Sequence, residues 1–474
     1  MTIPSSCNNI IVCLGCGTPL SPGDSLACKA CEKQYAIIAG IPVLMRDTTD
    51  YLREMIGMYS QFISEKEEEL NAIAQKAKTD IHRKAYYKNI TTAIEENNRI
   101  INSMLDVLLD RIDARELLRI KRSPTHNPVF KDFTYLKRDW CGLETGESQI
   151  NVIANALEQV IEQHITGRNT ALVLGSGLGR LAVNFCRLFE CVLATDLSFS
   201  MLFFFKKIIQ QKEINFYEVN YKNILQDCYA GDALTASMRA VNGNFKEPGP
   251  SFRDKLFYFA SDVLDLPLAP QSVDSIFSVY FTDVLSFRLL ISRIDKCLKP
   301  GGVFVHFGPL GYSFSDISEM LAGNEIKDFL KNMGYEIACE DFIETNHLET
   351  NLSLQQIRFR NWLLVAVKQP VTPDLYPYSR LIIAENISYK IEGSLQEETQ
   401  AITLMPGTGS TLEITPIILE IIQYFREEAS VSDLVASLKE QYEIDDEEMI
   451  MESLRDLLQK RILKAQIHQE QYAG

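Results

Sequence analysis

The strongest constraint in this chain is a set of glycines placed directly after an apolar run. Residues 170–174 read Thr-Ala-Leu-Val-Leu and pass straight into Gly175, Gly177 and Gly179, after which Arg180 opens a helical pattern. Glycine tolerates the left-handed backbone of a tight turn and lets a ligand approach the main chain. The helix that follows turns its N–H groups toward the same space. A second apolar run, 191–196, ends in Asp196, 21 residues after Gly175. At that spacing a strand-end carboxylate accepts hydrogen bonds from ribose hydroxyls in dinucleotide folds. Three more strands are expected downstream: 257–261 before Asp262 and Val263, 275–281 before Asp283, and 298–307 before Gly308. The alternation predicts an α/β fold, an open sheet with its pocket at the carboxyl ends of the strands. Gly175, Gly177, Gly179, Arg180 and Asp196 are expected on one side of that pocket, with Asp262 and Val263 against the base of the ligand.

At 474 residues the chain has room for two to four domains of about 150 residues each. Its 47 Lys+Arg against 63 Asp+Glu leave a net charge of −16, which repels nucleic acid and anionic membranes. No apolar run approaches the roughly 20 residues needed to span a bilayer, and the first residues lack a secretory pattern. A cytoplasmic chain without nucleic-acid or membrane partners is therefore expected, with a homodimer left open.

Four of the eleven cysteines form two C-x-x-C knuckles, Cys13 with Cys16 and Cys28 with Cys31. Four thiolates so paired converge tetrahedrally on one Zn²⁺, and with every position filled by sulfur the ion is structural. Residues 1–48 are read as this zinc ribbon. Cys7, Cys141, Cys186, Cys191, Cys228, Cys297 and Cys339 are expected as reduced thiols, too sparse for a disulfide framework. Residues 49–130 are nearly free of helix breakers and predict two or three long helices, one opened by a capping box at Ser64-Glu65-Lys66-Glu67. Prolines 370, 373 and 377 mark a linker. Strands are expected beyond it at 387–392 and 401–404, then helices near 415–427, 432–442 and 447–460.

Three resemblances follow from these residues. The ribbon's ending, Tyr35-Ala-Ile-Ile-Ala-Gly-Ile-Pro, resembles small zinc-ribbon proteins that activate tRNA methyltransferases. Residues 131–370 resemble the carnosine N-methyltransferase family through Phe133-Thr-Tyr-Leu-Lys-Arg138-Asp-Trp140, Leu174-Gly-Ser-Gly-Leu-Gly-Arg-Leu181 and Asp196-Leu-Ser-Phe-Ser-Met-Leu202. Tyr280-Phe-Thr-Asp283 and Phe307-Gly-Pro-Leu-Gly-Tyr-Ser313 extend the match. This resemblance implies a Rossmann-like class I methyltransferase core, S-adenosyl-L-methionine as donor, and methylation of an imidazole ring nitrogen. It implies that Arg138 helps to hold the donor. It implies, too, that Asp283 grips one imidazole N–H and leaves the other nitrogen free to attack. The family pattern has histidine where this chain has Ser313, and a tyrosine cluster where it has Arg358-Phe359-Arg360. Ser313, Arg358 and Arg360 are accordingly the candidate acceptor-side residues.

Residues 378–470 resemble PqqD-like winged-helix modules, which bind the leader segments of ribosomally made peptides. The resemblance runs through Leu412-Glu-Ile-Thr-Pro-Ile-Ile-Leu-Glu-Ile-Ile-Gln-Tyr-Phe425, Val431-Ser-Asp-Leu-Val-Ala-Ser-Leu438 and Ile462-Leu. It implies a precursor peptide as partner. The expected activity is histidine N-methylation of such a peptide, recruited through its leader. A small imidazole dipeptide is the alternative acceptor, and a peptide-binding scaffold with an inactive core is the alternative of another class.

Overall fold

The computed structural model describes the chain except for residues 1–2, 5–6, 8, 21–25, 121–128, 220–234, 241–251, 350–353, 370–379, 384–386, 393–400, 407–411, 443–446, 460–461 and 466–474. Cys228 and the linker prolines lie outside the described residues. The chain divides into two compact units. Residues 1–285, 296–320 and 337–367 make the first; residues 286–295, 321–336 and 368–474 make the second.

The frame of the first unit is a ten-stranded sheet. Its strands are β1 (Leu26–Ala27), β2 (Gln34–Ile38), β3 (Ile41–Val43), β4 (Thr170–Leu174) and β5 (Cys191–Asp196). A separate antiparallel pair follows, β6 (Ile214–Val219) with β7 (Thr235–Ala240). The frame then continues with β8 (Leu256–Ala260), β9 (Val273–Val279), β10 (Leu298–Gly308), β11 (Tyr335–His347) and β12 (Ile357–Lys368). The order is β1-β2-β3-β8-β5-β4-β9-β10-β12-β11. From β8 to β10 neighbouring strands are parallel, and β12 then runs antiparallel to β10 from Val303↔Val367 to Gly308↔Trp362. Strands β4 and β8 are buried at every residue, as central parallel strands must be. The chain winds outward from β4 in both directions, so the loops after β4 and β9 diverge and leave a crevice at their carboxyl ends. This doubly wound order with one inserted antiparallel strand is the Rossmann-like class I methyltransferase fold.

The N-terminal segment is continuous with that sheet. Ala39 (φ 48°) and Gly40 (φ 75°) form the two-residue turn between β2 and β3, the left-handed pair that a tight hairpin demands. Strand β3 then pairs in parallel with β8 at Val43↔Ala260. One expectation about the thiols is overturned: Cys7 and Cys191 form a disulfide across 184 residues of chain. Spacing could not reveal it, because the two meet only once the N-terminal segment has docked on the sheet.

The helical stretch forms α1 (Thr48–Thr79), α2 (Lys84–Leu109) and α3 (Ala114–Leu117), followed by α4 (Val129–Trp140) and α5 (Glu144–His164). The expected capping box at 64–67 is corrected, since these residues lie inside α1. Asp47 caps this helix instead, accepting from the Thr49 and Asp50 N–H groups at 2.9 and 3.0 Å. The start is set there because the buried stripe of Tyr51, Leu52, Met55, Ile56 and Tyr59 already runs at helical spacing from the first turn. Helix α6 (Arg180–Phe185) follows β4, and α7 (Phe199–Ile209) follows β5. Trp140, Leu157, Phe185, Phe204 and Phe205 fill one continuous core with residues of the sheet.

In the second unit, β13 (Arg380–Ile383), β14 (Ile387–Glu392), β15 (Ala401–Pro406) and β16 (Leu412–Ile414) precede helix Pro416–Tyr424. Then come β17 (Ala429–Ser430), helices Val431–Tyr442 and Glu447–Gln459, and β18 (Leu463–Ala465). Thr415 caps the first helix, with Pro416 at its opening position. Leu381, Ile421, Phe425, Leu434, Leu438, Ile450, Leu454 and Leu457 build a core of this unit's own. Among the described residues, no helix is long and apolar enough to cross a membrane.

Candidate active site

The crevice beyond β4, β5, β8 and β9 holds a cavity of about 540 Å³, within the range of small-molecule sites. Gly175, Gly177 and Gly179 line or border it with φ of 53°, 53° and 70°, the left-handed region that excludes most side chains. A Cβ at Gly175 would collide with the Phe281 ring and one at Gly179 with Phe205, whereas a Cβ at Gly177 meets no atom within 4 Å. The first and third glycines thus serve packing, and the second leaves room.

Asp196 sits where the sequence predicts. One carboxylate oxygen accepts the Gly177 N–H at 2.8 Å and the other the Ser198 N–H at 2.8 Å. Burial raises its pKa, while these backbone donors pull the other way. The carboxylate therefore shapes the glycine turn as well as facing the cavity, with lone pairs left for a ligand. Asp262 caps the short turn that follows β8, accepting from Leu264 N–H at 2.8 Å, and both Asp262 and Val263 line the cavity.

Arg138 and Arg180 reach the cavity from different tasks. Arg180 is buried, donating to the Asp139 carbonyl at 2.6 Å and pairing with Glu147 at 2.8 Å. It binds the glycine turn to α4 and α5, helped by Trp140, whose indole N–H donates to the Leu178 carbonyl at 2.9 Å. Arg138 is held by Asp139 through Nε at 2.5 Å, lies over the Tyr135 ring and lines the cavity.

The acceptor-side residues do not gather as expected. Asp283 is 9% exposed and accepts the Gly311 N–H at 2.8 Å; its neighbours Tyr280, Phe281 and Val284 line the cavity, but its own side chain does not. Ser313 is exposed and bonds back to the Asp283 and Val284 carbonyls. Arg358 and Arg360 lie outside the cavity lining: both are exposed, Arg358 paired with Glu344 and Arg360 over Phe342. Alternation along β12 puts Phe359, not its neighbours, on the cavity side. Phe359 stacks on His347 at 4.3 Å and stands 6.4 Å from Tyr280.

Several cavity residues carried no sequence signal. Glu54, Met55 and Met58 of α1 form part of the wall, because an amphipathic stripe says that a helix buries a face but not against what. His347 ends β11, and burial, with Arg138 and Lys131 nearby, lowers its pKa to about 4. Its Nδ1 and the Ser176 Oγ are buried among the cavity residues without a protein partner. Tyr280 was legible within its motif, although not its positive φ of 54°, a strained backbone of the kind found at functional sites.

Below the Asp196 turn, the buried Asp132 of α4 accepts from Ser200 Oγ, and the Ser200 N–H donates to the Tyr59 hydroxyl at 2.9 Å. Burial pushes Asp132 from 3.8 up to about 8, with Asp196 adding repulsion. The folded chain therefore keeps a proton that the unfolded chain releases. The stability this confers is full below about pH 4 and is lost as pH rises through about 8. Asp132→Asn, neutral throughout, is expected to gain in Tm over wild type progressively from about pH 4 to 8, as a pH series of thermal melts would read. A difference independent of pH would show that Asp132 does not titrate in this range.

The four knuckle cysteines also converge. The sulfurs of Cys13, Cys16, Cys28 and Cys31 lie within 4.8 Å of one another. Cys13 receives the Tyr35 hydroxyl and the Gly15 N–H, each at 3.3 Å. Burial would raise this thiol, but those hydrogen bonds outweigh it and hold it near about 6. Four converging sulfurs, with N–H groups aimed at them, fit a tetrahedral soft cation such as Zn²⁺.

The family model described as carnosine N-methyltransferase matches residues 119–370, more than half of the chain. The chain is similar to carnosine N-methyltransferase of Mus musculus, at 26% identity over 250 residues covering 49% of this chain and 60% of that protein. It is also similar to carnosine N-methyltransferase unmet of Drosophila melanogaster, at 24% identity over 289 residues, 58% of this chain and 60% of that one. The chain thus spans 60% of the length of these curated relatives. Among solved structures, magnesium protoporphyrin IX methyltransferase from Synechocystis PCC 6803 aligns at 12% identity with a TM-score of 0.32, covering 51% of this chain and 94% of that one.

Proposed function

The chain belongs to the carnosine N-methyltransferase family, and from that premise we propose that it transfers a methyl group from S-adenosyl-L-methionine to a nitrogen of an imidazole-bearing acceptor. The observation that carries this reading is Asp196, a half-buried strand-end carboxylate gripping the glycine turn at the wall of a cavity of about 540 Å³. Asp196 would hold the ribose and Arg138 the donor's carboxylate. Val263, Met55 and Met58 would border the adenine. When bound, the donor supplies a methyl group on a sulfonium, already activated. The remaining task of the protein is to place a neutral nitrogen in line with it. Tyr280 and His347, backed by Phe359, offer rings for an aromatic acceptor, and Asp283, just behind the Tyr280–Val284 wall, is the carboxylate the family resemblance would assign to its far N–H.

The family relationship speaks for a small acceptor of the carnosine kind. A second reading, a precursor peptide recruited by the PqqD-like module, draws on one observation: residues 380–465 contain helices around a core of their own. The Cys13, Cys16, Cys28 and Cys31 cluster is read as a structural zinc ribbon. The test is intact-mass analysis of the full chain incubated with S-adenosyl-L-methionine and either free carnosine or a histidine-containing peptide. A gain of one methyl mass on carnosine supports the first reading, and a gain on the peptide alone supports the second. Methylation of neither, with no donor bound, would leave a scaffold.

A further inference from the structure

The segment that walls the base end of the cavity, Asp262 and Val263, is also the seam where the four-cysteine segment joins the sheet. Four backbone or side-chain links meet within a few residues of it. The Leu44 N–H donates to the Ala260 carbonyl at 2.8 Å, extending the β3–β8 pairing. The Arg46 guanidinium takes both oxygens of Asp265, at 2.8 and 2.7 Å. The Val12 N–H donates to the Pro267 carbonyl at 2.9 Å, and the Ala269 N–H returns to the Ile10 carbonyl at 2.8 Å. Val12 is the residue before Cys13, so the first knuckle is stitched directly to the loop behind the cavity wall.

A second path starts one residue beyond Arg46. Asp47 caps α1, the helix that brings Met55 and Met58 to the cavity. Its Tyr51 hydroxyl donates at 3.0 Å to the carbonyl of Leu197, the residue after Asp196. A metal in the knuckles would fix the position of Cys13, next to Val12, relative to Cys28 and Cys31, which lead through β2 and β3 to Arg46. Without the metal both paths would loosen at their knuckle end, while the Cys7–Cys191 disulfide still tethers the segment to β5.

We propose that the Cys13, Cys16, Cys28 and Cys31 site is energetically coupled to the donor cavity, so that a metal held there and the donor each raise the other's affinity. The proposal rests on the donor reading above. Coupling between two sites is reciprocal and commonly amounts to about 5- to 150-fold; on the order of tenfold is expected here. The alternative is a ribbon that merely adds stability, with no effect on the cavity of a folded chain.

The test uses the full chain and two probes, Zn²⁺ and S-adenosylhomocysteine. Zinc affinity is measured against a chromophoric chelator with and without saturating S-adenosylhomocysteine. The affinity for S-adenosylhomocysteine is measured by calorimetry on zinc-loaded and chelated protein. Both are expected to change by the same factor, on the order of tenfold. Arg46→Ala keeps all four sulfurs and is expected to retain zinc while that factor falls. This variant and the zinc competition need no metal-free fold, so unfolding of the chelated chain does not remove the test. Zinc affinity unmoved by S-adenosylhomocysteine, or Arg46→Ala with undiminished coupling, would overturn the proposal. Failure of zinc-loaded wild type to bind S-adenosylhomocysteine at all would overturn the donor reading itself, and the coupling with it.

Discussion

Gly177→Val is expected to weaken donor binding by about a hundredfold or more while the chain stays folded. The three glycines after β4 share a left-handed backbone but not an environment. Side chains at Gly175 and Gly179 would strike Phe281 and the fully buried Phe205, so substitution there attacks packing. At Gly177 the added carbons meet no protein atom within 4 Å and project into the open cavity. The left-handed conformation costs a non-glycine residue about 1–2 kcal/mol, a loss the fold can carry. The isopropyl group takes volume the ligand needs and crowds the N–H that Asp196 accepts. Calorimetry with S-adenosylhomocysteine and a thermal melt separate the two effects. Gly177→Val should lose binding with a modest drop in Tm, whereas Gly179→Val should lose Tm foremost. Wild-type affinity in Gly177→Val would place the donor elsewhere.

The contrast among these glycines shows what the sequence could and could not convey. Strand ends were legible because parallel strands buried on both faces read as unbroken apolar runs, and β4, β5 and β10 fall within a residue of their expected limits. The same runs carry no information about which distant element closes the pocket, and so the sequence predicts long helices over 49–130 without saying that α1 walls the cavity. Arg358 and Arg360 stand apart from the cavity lining for a different reason. A strand's period of two sends neighbours to opposite faces, and a motif names positions without saying which face is inward. Phe359, between them, holds the inward position beside His347 and Tyr280. The disulfide between Cys7 and Cys191 joins residues whose proximity exists only in the folded sheet.

Asp283→Asn is expected to lower kcat by on the order of a hundredfold with donor affinity little changed. Two duties compete for this side chain. Its Oδ2 accepts the Gly311 N–H at 2.8 Å, and its carbonyl accepts the Ser313 N–H at 3.2 Å, so it braces the loop after β10. Its neighbours Tyr280, Phe281 and Val284 line the cavity while its own side chain stands outside the lining, so any part it takes in turnover is exerted from just behind that wall. Asparagine keeps the shape and can still accept from Gly311, so the brace survives and only the charge is lost. On the proposed reading that charge matters, because an imidazole acceptor would gain a positive charge as it takes the methyl group and a fixed carboxylate nearby would stabilise it. Burial raises the pKa of Asp283, with the Gly311 N–H opposing, so the charged form is lost at a less acidic pH than for an ordinary aspartate. Wild-type turnover should therefore fall as pH drops through that raised value, and the Asp283→Asn profile should lack this limb. Single-turnover methylation across a pH series reads both. If Asp283 only braces the loop, the variant loses about 1 kcal/mol of stability or less and turns over normally. Normal turnover with the acid limb intact would then assign the proton-linked step to another group.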